Sequence, residues 1–175
     1  GLTSVAVGGL AQAPSDPMTI YVASPSAAYK SGDGGASWKL AGEHAFGSKV
    51  GVLAVHPTNP LVVFAATQAP SGPGGLWKTI DGGATWYATS GGNSGFGFDP
   101  LSMQIDPKDP KSIYLFHTGF MQKSVDDGVT WTRKTYPNSG LAQALLDTNG
   151  SVILPGIKKT SSDFGVIWSD WKNGP

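Results

Sequence analysis

The chain has 175 residues, a length typical of one domain, and its 12 basic and 12 acidic side chains give no net charge. Charged residues make up only 14% of the sequence, which disfavours the basic surface that nucleic-acid binding requires. No apolar run approaches the roughly 20 residues of a membrane-spanning helix. The absence of cysteine excludes disulfides and thiolate metal ligands. We therefore expect no nucleic-acid partner and no membrane insertion.

Four segments in chain order share one pattern of predicted strands. Each begins with an apolar run, a turn rich in Pro, Asp or Asn and a second apolar run, as in "VGVLAVHPTNPLVVFAAT". A short third run, such as "GLWKT", and a fourth run that opens on tryptophan complete the segment. The predicted segments cover residues 1–42, 49–90, 99–136 and 140–173.

The third and fourth runs are joined by an eight-residue motif with the pattern Ser/Thr-x-Asp-x-Gly-x-x-Trp. Its four copies are "SGDGGASW", "TIDGGATW", "SVDDGVTW" and the looser "SSDFGVIW". We number them motifs 1 to 4. Their defining residues are Ser31, Asp33, Gly35 and Trp38; Thr79, Asp81, Gly83 and Trp86; Ser124, Asp126, Gly128 and Trp131; and Ser161, Asp163, Gly165 and Trp168.

Each part of the motif has a structural task. The aspartate is expected to accept hydrogen bonds from backbone N–H groups one or two residues ahead, and the Ser or Thr to bond into the same turn. The glycine two positions after the aspartate supplies a positive φ, and the tryptophan buries its ring between neighbouring sheets. Because a catalytic centre would not recur in every repeat, the motif is interpreted as structural.

Four antiparallel strands per repeat of about 40 to 45 residues predict an all-β fold, with four consecutive blades of a β-propeller. No strand is left over at either end. Three arrangements remain open: a closed four-blade ring, half of a ring made by two chains, or part of a larger propeller. Exposed blade faces in an open arrangement would seek partners, including a second chain.

The motif is similar to the Asp-box, or BNR repeat, and "IDPKDPKSIYLF" resembles the segment that accompanies it. The resemblance covers nearly the whole chain and implies a propeller related to sialidases, xyloglucan-active glycosidases, sortilin-type receptors and photosystem assembly factors. In these families the box is structural and lies away from the active site. The balanced charge disfavours the basic surface expected of a photosystem assembly factor.

We therefore expect the functional residues at the ends of the blades opposite the motifs. Sugar recognition needs aromatic faces beside amide and carboxylate groups, and the connections predicted at these ends contain such residues. The candidate ligand-binding residues are His44, Asn93, Phe96, Phe98, His117, Tyr136 and Asn138. No His/Asp/Glu spacing predicts a metal site, and no cofactor is expected.

The sequence bears on two possible enzyme activities, sialidase and glycoside hydrolase. A sialidase needs three arginines to clamp its substrate, whereas this chain has only Arg133, in the fourth strand of the third blade. A glycoside hydrolase acting through two carboxylates stays open, with Glu43 and Asp99 as its weak candidates. The leading hypothesis is non-catalytic recognition of a glycan or protein in an extracellular setting. The alternatives are one part of a glycoside hydrolase of the xyloglucanase type, or a structural subunit.

Overall fold

The structure is a computed structural model that describes residues 7–24, 27–43, 46, 49–68, 75–89, 100–137 and 144–172. Within these ranges the chain forms sixteen β-strands in four antiparallel sheets, with a 3₁₀ turn at Pro155–Ile157 and no α-helix. The strands of every sheet are hydrogen-bonded in chain order. This arrangement confirms the all-β prediction of four four-stranded blades.

The first two blades contain the longer strands. Blade 1 consists of β1 (Gly9–Ala13), β2 (Asp16–Ala23), β3 (Ala27–Ser31) and β4 (Lys39–Glu43). Blade 2 consists of β5 (Lys49–Val55), β6 (Val63–Gln68), β7 (Leu76–Thr79) and β8 (Tyr87–Ala88).

The last two blades follow the same order. Blade 3 consists of β9 (Ser102–Ile105), β10 (Ile113–Phe116), β11 (Phe120–Ser124) and β12 (Thr132–Thr135). Blade 4 consists of β13 (Leu145–Leu146), β14 (Val152–Leu154), β15 (Lys159–Ser161) and β16 (Ser169–Asp170). In every blade the fourth strand begins one residue after the motif tryptophan.

The turns between the first and second strands are held by Asp and Asn side chains. Asn59 Oδ1 accepts a hydrogen bond from the Leu61 amide at 3.0 Å, and Asp106 Oδ1 accepts one from the Lys108 amide at 2.9 Å. Asp147 Oδ1 accepts from the amides of Asn149 and Ser151 at 2.8 and 2.9 Å. These side chains replace sheet pairing at the turns, which is why the Pro/Asp/Asn pattern marks them in the sequence.

The described chain divides into two compact units, Gly1–Pro100 with blades 1 and 2, and Leu101–Pro175 with blades 3 and 4. Each blade has two faces, because successive side chains of a strand point to opposite sides of the sheet. Within each unit, we call the face of the first blade that packs on the second blade its trailing face, and the face of the second blade that packs on the first its leading face; the equivalent faces of the other blades take the same names.

In the first unit, the leading face of blade 2 packs on the trailing face of blade 1. Tyr21, Ala23 and Ala28 of blade 1 share one hydrophobic cluster with Leu53 and Ala65 of blade 2. The second unit repeats this geometry. There the trailing face of blade 3 and the leading face of blade 4 form a cluster whose buried members include Tyr114, Phe116, Met121, Val152 and Leu154.

Candidate functional site

The motif aspartates are fully engaged in hydrogen bonds within their own hairpins. Asp81 accepts from the Thr85 amide and hydroxyl at 2.9 and 2.6 Å, and from the Thr79 hydroxyl at 2.7 Å. The Thr79 hydroxyl oxygen in turn accepts from the Gly83 amide at 2.9 Å. Motifs 1 and 3 repeat the same set of bonds.

The sequence expectation was wrong about which amide the aspartate reaches. It named N–H groups one or two residues ahead, whereas the amide bound by Asp33, Asp81 and Asp126 lies four residues ahead. The reason is the pair of positive-φ residues that follows each aspartate. These residues fold the chain back, so that the seventh residue of the motif faces the carboxylate.

The seventh position of the motif therefore contributes to the hairpin, although the sequence pattern allows any residue there. It is Ser37, Thr85 or Thr130 in motifs 1 to 3, and each hydroxyl donates to the aspartate. Motif 4 has Ile167 at this position, so Asp163 receives only the amides of Val166 and Ile167 and the hydroxyl of Ser161. The signal was present in the sequence as "ASW", "ATW" and "VTW" against "VIW".

These hydrogen bonds keep the carboxylates ionised. The Ser37 hydroxyl, followed by the Ser37 amide and the Ser31 hydroxyl, lowers the pKa of Asp33 to about 2. The Thr130 hydroxyl, the Thr130 amide and the Ser124 hydroxyl do the same for Asp126. Such carboxylates hold no proton near neutral pH, so they are unsuited to act as general acids.

The motif tryptophans occupy two kinds of surroundings. Trp86 is partly buried in the cluster between blades 1 and 2, and its indole N–H donates to the Ala41 carbonyl oxygen of blade 1 at 2.8 Å. Trp168 packs in the same manner against the cluster that contains blade 3. By contrast, the indole N–H of Trp38 donates to Gly35 of its own motif, at 3.0 Å.

A cavity of about 410 Å³ lies beside motif 1 and is lined by Lys30, Gly32, Asp33, Ser37 and Lys39. The Asp33 carboxylate is occupied by Ser31 and Ser37. Lys30 extends over the Tyr21 ring, with its Nζ 5.6 Å from the ring centroid. The same lysine-over-aromatic pair recurs in blade 2 as Lys78 over Phe64, and in blade 3 as Lys123 over Tyr114. Because the contact recurs in three blades, we interpret Lys30 as a packing residue of the blade rather than as part of a binding site.

Two of the seven candidate ligand-binding residues lie within the described residues, namely His117 and Tyr136. Glu43 ends β4, and only its backbone is described. The other candidates fall outside the described residues: His44, Asn93, Phe96, Phe98, Asn138 and the carboxylate candidate Asp99.

His117 and Tyr136 lie at the end of blade 3 opposite its motif. His117 begins the connection between β10 and β11, and Tyr136 follows β12 with its amide donating to the Gly119 carbonyl oxygen at 3.1 Å. The His117 ring stacks on Phe120, with ring centroids 4.3 Å apart and planes 9° apart. The structure therefore brings these two predicted residues to one hairpin.

Arg133, the only arginine of the chain, lies over the Phe120 ring. The Arg133 guanidinium carbon lies 3.8 Å from the Phe120 centroid, and Arg133 is exposed. Arg133 stands opposite Gln122 in the pairing of β11 with β12. We call His117, Phe120, Gln122 and Arg133 the blade 3 cluster, whereas Tyr136 belongs to the hydrophobic cluster shared with blade 4.

Gln122 of the blade 3 cluster and the neighbouring Tyr136 are among the residues that bury polar atoms. Gln122 is 7% exposed, and its Oε1 has no hydrogen-bond partner among the described residues. The Tyr136 hydroxyl is also buried, and burial raises the pKa of this phenol, while the nearby backbone of His117 lowers it by less. A buried amide oxygen that accepts no hydrogen bond is costly.

The sequence did not predict that these residues lie together. Of the residues of this cluster, the sequence predicted only His117 as a ligand-binding residue, and Arg133 as the single arginine in the fourth strand of blade 3. The arrangement depends on the register that places Gln122 opposite Arg133, which no local pattern reveals. The one available signal was the position of the single Arg two residues after a motif tryptophan.

Within the described ranges, no three His, Asp or Glu side chains gather closely enough to hold a metal ion. No helix in the part of the chain that the structure describes is long and apolar enough to span a membrane.

Comparison with known proteins identifies the fold. No known sequence family matches the chain, and no curated protein is similar to it in sequence. Among solved structures, a GH74 enzyme of Niastella koreensis is 22% identical over 95% of this chain, with a TM-score of 0.69. The GH74 xyloglucanase of Xanthomonas campestris is 16% identical over 98% of this chain, with a TM-score of 0.67. YCF48 bound to D1 peptide is 12% identical over 96% of this chain, with a TM-score of 0.66.

The chain spans 24% and 31% of the two GH74 chains and 55% of the YCF48 chain. These similarities, together with the four antiparallel sheets, show that the fold is that of β-propeller blades. The same fold carries both hydrolysis and peptide binding in the matched proteins, so function has to be argued from the site.

Proposed function

We propose that the chain is a non-catalytic recognition module that binds a glycan or a protein at the blade ends opposite the motifs. The observation that carries this proposal is the blade 3 cluster, in which His117 and Phe120 lie at the end of blade 3 opposite motif 3, while Arg133 and Gln122 lie midway along β12 and β11. An extracellular setting belongs to the same proposal, supported by the low charged fraction.

The ring of Phe120 is not a platform for sugar stacking, because His117 and Arg133 both lie against it. Its role in the proposal is to hold the Arg133 side chain in one orientation through a cation–π contact. The planar guanidinium then offers paired N–H donors to a carboxylate, at a lower cost in side-chain entropy. This geometry favours a ligand that bears a carboxylate, such as an acidic glycan.

The buried Gln122 oxygen adds a second requirement. In the proposal the Gln122 side chain turns outward when the ligand binds, and its oxygen then accepts a hydrogen bond from a hydroxyl or amide near the carboxylate. A uronic acid residue has both groups within a few ångströms on one ring. A peptide carries carboxylate and amide groups as well, and the matched YCF48 structure is bound to a peptide, so an acidic peptide is the alternative ligand.

The test is a glycan array that includes xyloglucan and polygalacturonate, probed with the wild-type chain and two variants. Arg133→Gln should lower the affinity for an acidic glycan by ~10-fold to 100-fold, because the charge and the paired donors are lost. Arg133→Lys keeps the charge but loses the fork, and should recover only part of the affinity. An array without hits would remove the glycan proposal, and wild-type affinity in Arg133→Gln would remove the blade 3 cluster.

The second candidate function is one part of a glycoside hydrolase, supported by the fold shared with GH74 enzymes. Its carboxylates would be Glu43, at the end of β4, and Asp99, which lies outside the described residues. Glu43→Gln and Asp99→Asn should then abolish hydrolysis of β-glucans by the wild-type chain. Absence of hydrolysis by the wild type, or unchanged hydrolysis in both variants, would eliminate this candidate.

A further inference from the structure

The turn between β13 and β14 contains an asparagine followed directly by a glycine. Asn149 is exposed at this turn, and Gly150 follows it with a φ of +81°. An Asn-Gly pair reacts without an enzyme when the amide nitrogen of the glycine attacks the side-chain carbonyl carbon of the asparagine. Glycine favours this attack, since it has no Cβ to obstruct the approach. The pair is therefore a candidate site of chemical modification.

The structure places a positive charge at the oxygen that becomes negative during this attack. Lys108, in the turn between β9 and β10, donates a hydrogen bond from its Nζ to Asn149 Oδ1 at 3.0 Å. When a nitrogen attacks the amide carbon, negative charge develops on Oδ1, and a cation already bonded to that oxygen stabilises the charge. The contact joins blades 3 and 4 of one compact unit.

The turn that contains Asn149 also opens at low cost. The Gly150 amide donates to the Asp147 carbonyl oxygen at 3.1 Å, and this hydrogen bond has to break before the nitrogen attacks. The hairpin around the turn is short, because β13 has two residues, each paired with one residue of β14. Few hydrogen bonds therefore oppose local opening of the turn.

Another asparagine, in the equivalent turn of blade 2, provides a matched comparison. Asn59 lies between β5 and β6 and is followed by Pro60. The nitrogen of Pro60 carries no hydrogen and is enclosed in the proline ring, so it cannot form the same bond. The two asparagines thus share a place in the blade but differ in the atom that would attack.

We infer that Asn149 is a site of spontaneous deamidation, with water as the co-reactant. A bond forms between the Gly150 nitrogen and Asn149 Cγ, the bond from Cγ to Nδ2 breaks, and the Gly150 amide proton leaves with Nδ2 as ammonia. Water then opens the resulting cyclic imide. Opening at one carbonyl gives aspartate, and opening at the other gives isoaspartate, in which the main chain runs through the former side-chain carbonyl.

The two products have different effects on blade 4. Aspartate keeps the length of the main chain and places a carboxylate beside the Lys108 ammonium. Isoaspartate lengthens the main chain by one carbon within the turn. The Asp147 carboxylate accepts the amides of Asn149 and Ser151 at 2.8 and 2.9 Å, and the longer turn would move these donors away from it. Formation of isoaspartate should therefore lower the melting temperature.

The experiment incubates the purified chain in mildly alkaline buffer for several weeks and follows it by peptide mapping with mass spectrometry. The peptide that contains Asn149 should gain the mass of an amide converted into an acid and separate into aspartyl and isoaspartyl forms. The peptide that contains Asn59 should stay unchanged. If Asn149 stays intact in the folded chain but reacts when the chain is unfolded in urea, the turn protects it and the inference is overturned.

The contribution of the lysine is tested by Lys108→Gln, which should slow the reaction at Asn149 by about twofold to fivefold, because an exposed cation contributes modestly. Lys111→Gln is the matched control, since Lys111 is exposed in the same turn and has no hydrogen bond to Asn149 in the described structure. Equal rates in Lys108→Gln and the wild type would contradict the stabilisation of Oδ1 by Lys108.

The effect on stability is tested by Asn149→Gln, which removes the reactive pair. The melting temperature of the wild type should fall during the incubation, whereas that of Asn149→Gln should stay constant. Both chains retain the Asn-Gly pair at Asn173, which lies outside the described residues and falls in a separate peptide. An equal fall in the two chains would therefore contradict a destabilising effect of deamidation at Asn149.

Discussion

At the scale of single residues, the hydroxyl at the seventh position of the motif decides how many hydrogen bonds its aspartate receives. Thr85 gives Asp81 both an amide and a hydroxyl, whereas Ile167 gives Asp163 an amide alone. The Ile167 side chain is 69% exposed, so no packing is lost if it is replaced.

We expect Ile167→Thr to raise the melting temperature by about 2 °C, because the new hydroxyl can donate to Asp163. Val166→Thr is the control, since Val166 is also exposed and no motif uses a hydroxyl at its position. Thermal melts followed by circular dichroism measure both. Equal shifts in the two variants would show that the seventh position has no special role.

The lowered pKa values of the motif aspartates predict a particular acid dependence of stability. The pKa values of Asp33 and Asp126 are about 2 in the folded chain, against an ordinary value of 3.8. Their ionised forms therefore stabilise the fold above about pH 4, and this contribution is lost as the pH falls from there towards 2. Urea unfolding between pH 6 and pH 2 should show stability falling in that window, with a shallower fall in Asp126→Asn. Identical slopes in wild type and variant would contradict the assignment.

Gly83 combines a positive φ with a close approach to blade 1. Its φ is +95°, and a Cβ at this position would lie 2.7 Å from Ala41 Cβ and 2.8 Å from the Ala41 carbonyl oxygen. Gly83→Ala should cost about 2–4 kcal/mol, from backbone strain and overpacking together. Gly35→Ala, with a φ of +96° but only a 3.6 Å contact to Trp38, should cost about 1 kcal/mol. Equal losses in urea unfolding would mean that contact with blade 1 is unimportant.

At the scale of the structural element, the motif 2 hairpin connects blade 2 to blade 1 through Trp86. Trp86 reaches Ala41 of blade 1, while Trp38 bonds within its own motif. Replacing Trp86 by Phe removes a hydrogen bond across the blade contact and part of a packed ring. Replacing Trp38 by Phe removes only a local bond.

We therefore expect Trp86→Phe to reduce the free energy of unfolding by about 1–3 kcal/mol, and Trp38→Phe by less than about 1 kcal/mol. Urea titrations of both variants at one low protein concentration give the comparison. A larger loss for Trp38→Phe would contradict the assignment of Trp86 to the contact between blades 1 and 2.

Sequence patterns predicted the elements well, because each strand is short, apolar and bounded by turn residues with their own chemistry. The motif specified every third-to-fourth strand hairpin, and the Asp and Asn turns specified the hairpins between the first and second strands. The hydrogen bonds of the motif were less predictable, since the first residue of the positive-φ pair is Gly82 in motif 2 but Asp127 in motif 3 and Phe164 in motif 4. Non-glycine residues with positive φ give no sequence signal of their conformation.

At the scale of the whole molecule, the repeat predicted four blades, while the contact between Arg133 and Phe120 followed from the structure alone. The sequence predicted His117 and Tyr136 as candidates because they lie in connections opposite the motifs. Arg133 joined them only through the pairing of β11 with β12 and its contact with Phe120. Strand register and cross-strand contacts are products of packing, so a repeat motif does not encode them locally.

The central claim is that the motifs hold the fold while recognition takes place at the opposite ends of the blades. The most direct measurement compares Asp81→Asn and Arg133→Gln in parallel, for melting temperature and for affinity to the acidic glycan that binds best on the array. The account predicts that Asp81→Asn lowers the melting temperature and leaves the affinity of the folded chain unchanged, while Arg133→Gln lowers the affinity by ~10-fold or more with little change in melting temperature. Loss of binding in Asp81→Asn together with full binding in Arg133→Gln would contradict it.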